Sequence, residues 1–128
     1  MTEHLSVEQV LSLHQSLVGH LNDAGVRDLR ALESAVSRPT ATFDGADLYA
    51  SLDVKAAALI AGLITTAPFV ERNRETAIIA GECFLIANGA SLTATDKDLE
   101  PIAASVGAAE VGIEALAVWI RQRLRVAR

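Results

Sequence analysis

The chain has 128 residues, the length of one ordinary domain, and 51% of them are apolar, so it can bury a core without a disulfide or structural metal. Aromatic residues make up only 4%, which favours helices packed through alanine and leucine and excludes disorder for the bulk of the chain. The formal net charge of −5 disfavours nucleic acid as a partner. We expect a single all-α domain spanning residues 1–128.

The N-terminal half predicts two helices. The first residues lack the basic and apolar regions of a signal peptide, so we expect a cytoplasmic protein. Ser6 and Gln9 form a capping-box pattern ahead of apolar residues at helical spacing, and the segment 22–25 (Asn-Asp-Ala-Gly) is expected to end this first helix. A short second helix is predicted over about 28–37, and Pro39 stops it.

The middle of the chain predicts a hairpin between helices. The stretch 39–47 combines β-branched residues with an Asp-Gly turn, which makes it the one predicted hairpin or flap. A third helix is predicted over about 51–65. Its apolar run, 56–64, is too short to span a bilayer, so we expect no membrane segment. The loop 66–70 leads into a fourth helix that ends at the Asn-Gly pair 88–89.

The C-terminal part predicts two more helices, one starting at Thr95 with Asp98 and one over about 108–126, giving six helices and one hairpin in all. The sole cysteine, Cys83, excludes an internal disulfide and predicts a buried, inert thiol. Arginines near the C-terminus either complement the dipole of the last helix or offer a local basic contact to an acidic partner or nucleic acid; they are Arg121, Arg123, Arg125 and Arg128.

Two segments carry a recognisable pattern. The first begins with Gly-Val-Arg-Asp at residues 25–28 and continues through Leu-Glu-Ser-Ala at 32–35 to Arg-Pro-Thr-Ala-Thr-Phe at 38–43. The second reads Ala-Pro-Phe-Val-Glu-Arg-Asn-Arg-Glu-Thr-Ala at 67–77 and is followed by Phe-Leu and Asn-Gly pairs. On these residues the chain resembles the Doc branch of the Fic/Doc family over essentially its whole length. The resemblance implies a compact six-helix fold with a hairpin flap.

The resemblance also implies a chemistry. Family members transfer a phosphate-containing group from a nucleotide to a hydroxyl through the motif His-Pro-Phe-x-Asp/Glu-Gly-Asn-Lys/Gly-Arg-Thr. The histidine is the general base, the acidic residue holds Mg²⁺, and the following residues bind phosphate at a helix N-terminus. Glu71 matches the metal-binding position. The flap residues Thr40, Thr42 and Phe43 match a surface that docks the target by strand addition, although packing of the hairpin onto the core explains them equally well.

Three departures fall within the motif. Ala67 stands at the general-base position, and a methyl group accepts no proton. Arg72 replaces the glycine that lets backbone N–H groups approach phosphates, and Glu75 replaces the arginine that clamps them. Loss of a general base alone costs about 10²–10⁴-fold in rate. Asn73 and Arg74 still match phosphate-binding positions.

Two functions follow from these matches and departures. The first is a Doc-like protein whose transferase site is degenerate, without a cofactor, acting by binding an antitoxin, a second copy of itself or the ancestral target. The second is an active phosphotransferase or adenylyltransferase that uses Mg²⁺ and ATP, with Arg72 and Arg74 in place of the lost clamp. The losses favour the first function, and enzymatic activity stays open.

Single residues add further expectations. Glu71 and Glu75 lie on one side of a helix start, where Glu75 either stabilises the first turn or fills the phosphate-binding nest. Of the three histidines, His14 lies on the apolar stripe of the first helix, which predicts a hydrogen-bonded core residue. The family resemblance places it away from the motif loop. Trp119 is predicted to anchor the core.

Overall fold

A computed structural model describes residues 1–19 and 25–126. Within these residues the chain forms six helices: α1 (Val7–Val18), α2 (Leu29–Ser37), α3 (Leu52–Thr66), α4 (Asn73–Ala87), α5 (Asp96–Gly107) and α6 (Ile113–Arg123). The short strands β1 (Thr42–Phe43) and β2 (Ala46–Asp47) form one antiparallel pair, and β3 (Ala90–Leu92) and β4 (Leu124–Val126) form another. The predicted all-α, six-helix fold with a short hairpin is confirmed. No helix of the described residues is long and apolar enough to cross a membrane.

Helix α3 forms the centre of the core, and every residue from Lys55 to Ile64 is buried. Small residues let its neighbours approach closely. A Cβ on Gly62 would lie 3.3 Å from the Cβ of Ala35 in α2, and a Cβ on Gly81 in α4 would lie 2.6 Å from Cγ1 of Ile60. Such closeness explains why α3 pairs with α2 and α4 through alanine and glycine rather than through larger side chains.

The predicted helix starts are confirmed. Ser6 caps α1 in a capping box with Gln9, and Thr95 caps α5 in the same way with Asp98. The first helix ends at Val18, earlier than predicted. Of the segment 22–25 predicted to end it, only the glycine lies within the described residues.

The C-terminal region differs from the prediction of one helix over 108–126. Helix α6 begins only at Ile113, because the chain turns at Ala109, whose φ is 62°. Its last residues leave the helix as β4, which pairs with β3 in the register Ala90↔Val126. The pattern Leu-Arg-Val is too short to distinguish a strand from a helix end, so this second strand pair was not predicted.

Arg121 and Arg123 lie in the last turn of α6, where cations complement the helix dipole, whereas Arg125 lies beyond the helix. Arg121 binds the buried carboxylate of Asp53 in α3, with its Nε 2.8 Å from Oδ2. Arg123 lies over the ring of Trp119, 4.0 Å from its centroid. Trp119 itself is partly buried and packs against the core, as predicted. Arg125 is exposed on β4, and Arg128 lies outside the described residues.

The hairpin is fixed to α3 at its base. Its Asp44–Gly45 turn has positive φ at both residues, 52° and 80°, as the sequence predicts. The ammonium group of Lys55, only 3% exposed, lies 3.1 Å from Oδ2 of Asp47 and also donates to the carbonyl of Tyr49. The strands project from this base into solvent.

Two of the predicted docking residues, Thr42 and Phe43, lie on that projecting part of the hairpin, and Thr40 lies in the 3-10 turn before it. Thr40 closes the turn before β1, with its hydroxyl 2.6 Å from the carbonyl of Ser37. Thr42 and Phe43 are exposed, and 71% of Phe43 is accessible to solvent. Packing onto the core therefore does not explain Phe43, whereas target docking stays a prediction.

Candidate functional site

The motif loop, residues 67–72, joins α3 to α4 and has a left-handed residue at each end. Ala67 has φ 45° and ψ 62°, and Arg72 has φ 65° and ψ 29°. A residue with a Cβ in this region costs about 1–2 kcal/mol relative to the right-handed form. Neither position holds a glycine, so the surrounding structure must maintain the loop's shape.

The segment 25–28 holds the outer side of the motif loop. Val26 and Phe69 pair as an antiparallel bridge. The N–H groups of Arg27 and Asp28 both donate to the carbonyl of Pro68, at 2.7 and 3.1 Å, and the N–H of residue 70 donates to the carbonyl of residue 25 at 3.0 Å. The two segments of the sequence pattern are thus hydrogen-bonded to each other.

The side chain of Arg27 adds a second restraint. Its Nε lies 3.1 Å from the carbonyl oxygen of Ala67, and its Nη2 lies 3.0 Å from that of Thr66. A guanidinium in this place satisfies carbonyls that the end of α3 leaves without helical partners. The sequence pattern included Arg27 but gave it no role.

Asn73, predicted to bind phosphate, is hydrogen-bonded to the motif loop. Its Oδ1 accepts from the N–H of Phe69 at 2.9 Å, and its Nδ2 donates to the carbonyl of the same residue at 3.0 Å. The side-chain amide therefore closes the loop onto the first turn of α4. Phosphate binding by Asn73 stays a prediction.

His14 contacts the motif loop from the inner side. It is 3% exposed, its ring stacks on Phe69 with centroids 3.8 Å apart at 9°, and its Nε2 lies 3.0 Å from the carbonyl oxygen of Glu71. The prediction of a hydrogen-bonded core histidine is confirmed. The placement of His14 away from the motif loop is wrong, because α1 packs against α4 and carries this ring to the loop's inner surface.

Both arginines of the motif are paired with carboxylates. Arg72 lies 3.2 Å from Glu75, one turn along α4, and Arg74 lies 3.5 Å from Glu100 of α5. Among the described residues, no backbone N–H donates to the Glu75 carboxylate, so this contact fits a first-turn carboxylate and not one that fills a phosphate nest. The four side chains are all about half-exposed.

The N-terminus of α4 presents free donors beside these charges. Within the described residues, the N–H groups of Asn73, Arg74 and Glu75 have no acceptor, and the first helical bond runs from Thr76 to the carbonyl of Arg72 at 3.0 Å. Such a helix end attracts anions.

Glu71, the predicted metal ligand, is exposed next to this helix end. In the described ranges, no group of three His, Cys, Asp or Glu residues could hold a metal ion. A Mg²⁺ ion at Glu71 would therefore depend on oxygens supplied by a nucleotide, as is usual for this ion.

The general-base position carries no ionisable group, because Ala67 has only a methyl side chain. Neither of the two histidines within the described residues replaces it. His14 is buried against Phe69, and His4 packs near Phe84 with ring centroids 5.7 Å apart. Burial lowers the pKa of His4, as does the nearby charge of Lys55. His20 lies outside the described residues.

Two further ionisable groups lie in the C-terminal half of α4. Burial, together with the charge and hydrogen bond of Asp96 at the start of α5, raises the pKa of Glu82 to about 7. Cys83 is partly buried, and desolvation and the charge of Glu82 raise the pKa of its thiol. A thiol kept protonated is a poor nucleophile, which agrees with the prediction of an inert cysteine.

A cleft of about 470 Å³ lies between the base of the hairpin and the loop joining α5 to α6. Arg38 and Tyr49 line one side, with the arginine Nε 3.4 Å from the tyrosine hydroxyl, and Glu114 lines the other. Thr65, two residues before Ala67, lies in its wall. The volume falls in the range of small-molecule sites.

The comparisons with known proteins agree with this architecture. The chain belongs to the Fic/DOC family, whose model matches residues 4–85, a range that includes α1, the hairpin and the motif loop. It is 41% identical to the protein named Toxin Doc of Mycolicibacterium smegmatis (strain ATCC 700084 / mc(2)155) over 100 residues. Those residues cover 78% of this chain and 75% of the relative. The resemblance to the Doc branch, inferred from the two sequence segments, is confirmed.

Proposed function

We propose that this chain is a cytoplasmic, Doc-like protein of a toxin–antitoxin system that acts by binding, with its nucleotide-dependent transfer chemistry impaired. The observation that carries the proposal is the methyl group of Ala67 at the position of the family's general base. A hydroxyl nucleophile there has no partner to take its proton, and this loss typically costs about 10²–10⁴-fold in rate.

The histidine that contacts the motif loop is not available as a second base. The one histidine that contacts the motif loop, His14, donates to a backbone carbonyl and is 3% exposed beneath Phe69. An incoming hydroxyl would have to displace that aromatic ring to reach it. The substitution at Ala67 is therefore uncompensated by this histidine.

The charges around α4 also oppose phosphate binding. Arg72 and Arg74, the two cations available to an incoming nucleotide, are each paired with a carboxylate, Glu75 and Glu100. An anion must displace both carboxylates. Exposed pairs of this kind contribute about 0.2–1 kcal/mol each, so the pairing weakens anion binding without abolishing it.

A protein partner is supported by exposed apolar side chains beside the motif loop. Val26 belongs to the segment 25–28, Leu29 follows it, and Val70 belongs to the motif loop; these residues are 38%, 55% and 53% exposed, respectively. Apolar groups concentrated at one place on a surface are typical of protein contacts. We propose an antitoxin as that partner, since the relative is named a toxin. Self-association is the second candidate for the same surface.

A second candidate function is an active Mg²⁺- and ATP-dependent phosphotransferase or adenylyltransferase. Two observations favour it. The end of α4 keeps three N–H groups without acceptors among the described residues, and Arg72 adopts the left-handed geometry that a glycine at this position would allow.

Labelling by nucleotide decides between the two functions. The wild-type protein is incubated with Mg²⁺ and ATP labelled at the α- or γ-phosphate in a cell extract, alongside the triple variant Ala67→His, Arg72→Gly, Glu75→Arg. The double variant Arg72→Gly, Glu75→Arg is the matched control, since it lacks only the base. We expect transfer by the triple variant alone. Transfer by the wild-type protein would refute the impairment, and equal transfer by the triple and double variants would show that the base is not what limits it.

Calorimetry with Mg²⁺ and ATP measures whether nucleotide binding survives. Binding to the folded state stabilises it, by about 2.7 kcal/mol when the ligand is at 100 times its Kd, so the thermal midpoint supplies an independent readout. Absence of heat and of a shift in the wild-type protein supports a purely protein-binding role. A clear Mg²⁺-dependent signal favours the second function.

A further inference from the structure

We propose that His14 is a positioning residue of the motif loop. His14 holds the left-handed turn at Arg72 and thereby orients the free N–H groups at the N-terminus of α4. The proposal rests on the site described under the proposed function, because it assigns a role within that site. It concerns how the anion-binding geometry is maintained and applies whether or not transfer chemistry survives.

The geometry places His14 at the peptide that controls this turn. The φ angle of a residue is the rotation about its N–Cα bond, so it depends on the orientation of the peptide plane that precedes the residue. The peptide that precedes Arg72 contains the carbonyl of Glu71, and Nε2 of His14 donates to that oxygen at 3.0 Å. A donor fixed in the core therefore holds the peptide plane, and with it the φ of 65° at Arg72.

The ring of His14 provides a second restraint two residues earlier. It stacks on Phe69 at 3.8 Å and 9°, and both residues are almost fully buried. Asn73 binds the N–H and the carbonyl of the same phenylalanine from the other side. Phe69 is thus held by the ring of His14 in α1 and by the side-chain amide of Asn73 in α4. Glu71 is held by His14 alone.

Core packing alone does not account for this residue. A buried imidazole costs free energy unless its polar atoms are bonded, whereas an apolar side chain would fill the same stripe between Val10 and Val18 without that cost. The bond to the loop carbonyl supplies the specific reason for a nitrogen donor at this position.

Two variants separate the donor from the ring. His14→Phe keeps an aromatic ring against Phe69 and removes the N–H, whereas His14→Gln keeps an N–H donor of similar reach and removes the ring. Hydrogen exchange is measured by NMR at three bonded amides of the site, those of Phe69, Val70 and Thr76. The bonded amides of Leu48 and Thr93 are references, because they lie in the hairpin and the second strand pair.

We expect His14→Phe to accelerate exchange at the three site amides about tenfold relative to wild type, as loss of one buried hydrogen bond implies, while the reference amides change little. His14→Gln should restore slow exchange. Equal exchange in wild type and His14→Phe would overturn the proposal, as would acceleration of the site and reference amides by the same factor. If His14→Phe does not fold, His14→Gln decides: fast exchange at the site amides alone contradicts the role of the donor, and slow exchange supports it.

The exchange experiment requires no nucleotide, so its outcome is independent of the proposed function. Calorimetric titration of the same variants with Mg²⁺ and ATP tests that function separately. If wild type binds, His14→Phe should bind more weakly and His14→Gln should recover affinity. Failure of the wild-type protein to bind would count against the transferase alternative. The amide exchange rates would still decide the role of His14.

Discussion

The crossing of α3 and α4, the two helices that carry the motif loop, gives the sharpest stability prediction. A Cβ on Gly81 would lie 2.6 Å from Cγ1 of Ile60, far inside van der Waals contact, and Ile60 is only 2% exposed. Gly81→Ala should gain about 1 kcal/mol from helix propensity. It should lose about 2–3 kcal/mol, the upper part of the range for overpacking, because the new Cβ would lie so close to a buried side chain. We expect a net loss of about 1–2 kcal/mol in the free energy of unfolding.

A double-mutant cycle with Ile60→Val tests the origin of this loss. Ile60→Val alone should cost about 0.5–1.5 kcal/mol, because it removes one buried methyl group. Combined with Gly81→Ala it should cost less than the sum by about 1 kcal/mol, because valine lacks Cδ1, the atom of Ile60 that lies nearest the new Cβ. Urea unfolding followed by circular dichroism supplies all four free energies.

Gly107→Ala is the matched control for the same substitution. Its Cβ would lie 3.4 Å from Cγ2 of Ile64, an ordinary contact at the end of α5, so this variant should be neutral or slightly stabilising. Strict additivity in the cycle, or a Gly81→Ala variant as stable as Gly107→Ala, would refute the reasoning that the helix crossing requires glycine.

Three further predictions concern single side chains. The folded-state pKa of Glu82 is about 7, above its ordinary value, so the folded state keeps a proton that the unfolded chain loses. The free energy of unfolding should therefore fall as pH rises from about 4.5 to 7. Glu82→Gln relieves the repulsion from Asp96, so it should remove that fall and stabilise the protein by about 1–2 kcal/mol at pH 8. Urea unfolding at several pH values measures both effects. Lys55→Met should release Asp47, and with it the base of the hairpin, from α3. The hairpin should then be cleaved faster by a protease that does not cut after lysine, while the helical circular dichroism signal stays unchanged. Unchanged proteolysis would contradict the anchoring role. Arg27→Met should lower the thermal midpoint by about 3–5 °C, because the carbonyls of Thr66 and Ala67 lose hydrogen bonds worth about 1 kcal/mol. An unaltered midpoint would show that water replaces the guanidinium at these carbonyls.

Most elements could be predicted because their signals are local. Capping boxes at Ser6 and Thr95, the Asp-Gly turn of the hairpin and the Asn-Gly helix end each depend on neighbouring residues. The second strand pair could not be predicted this way. It joins Ala90 to Val126, and nothing in either three-residue segment specifies so distant a partner.

In the candidate site, too, features set by neighbouring residues could be predicted and contacts between distant segments could not. The motif itself lies in consecutive residues, so its matches and departures were visible in the sequence. The bonds that hold it come from α1 and from the segment before α2, through His14 and Arg27. The helical stripe predicted that His14 is buried, but periodicity does not indicate which neighbour a buried ring will contact. The carboxyl pair of Glu82 and Asp96 was missed for the same reason.

The hydrogen bonds that hold the motif loop share one property, which bears on how such a protein changes over generations. On the loop's side they all end on main-chain atoms: the carbonyls of Ala67, Pro68 and Glu71, the N–H and carbonyl of Phe69, and the N–H of Val70. The side chains that would perform chemistry, at 67, 71 and 72, contribute none of these bonds. Exchanges of side chain at these three positions therefore leave the bonds that hold the loop in place, so a lineage can vary the chemistry of the loop's surface while its scaffold stays intact.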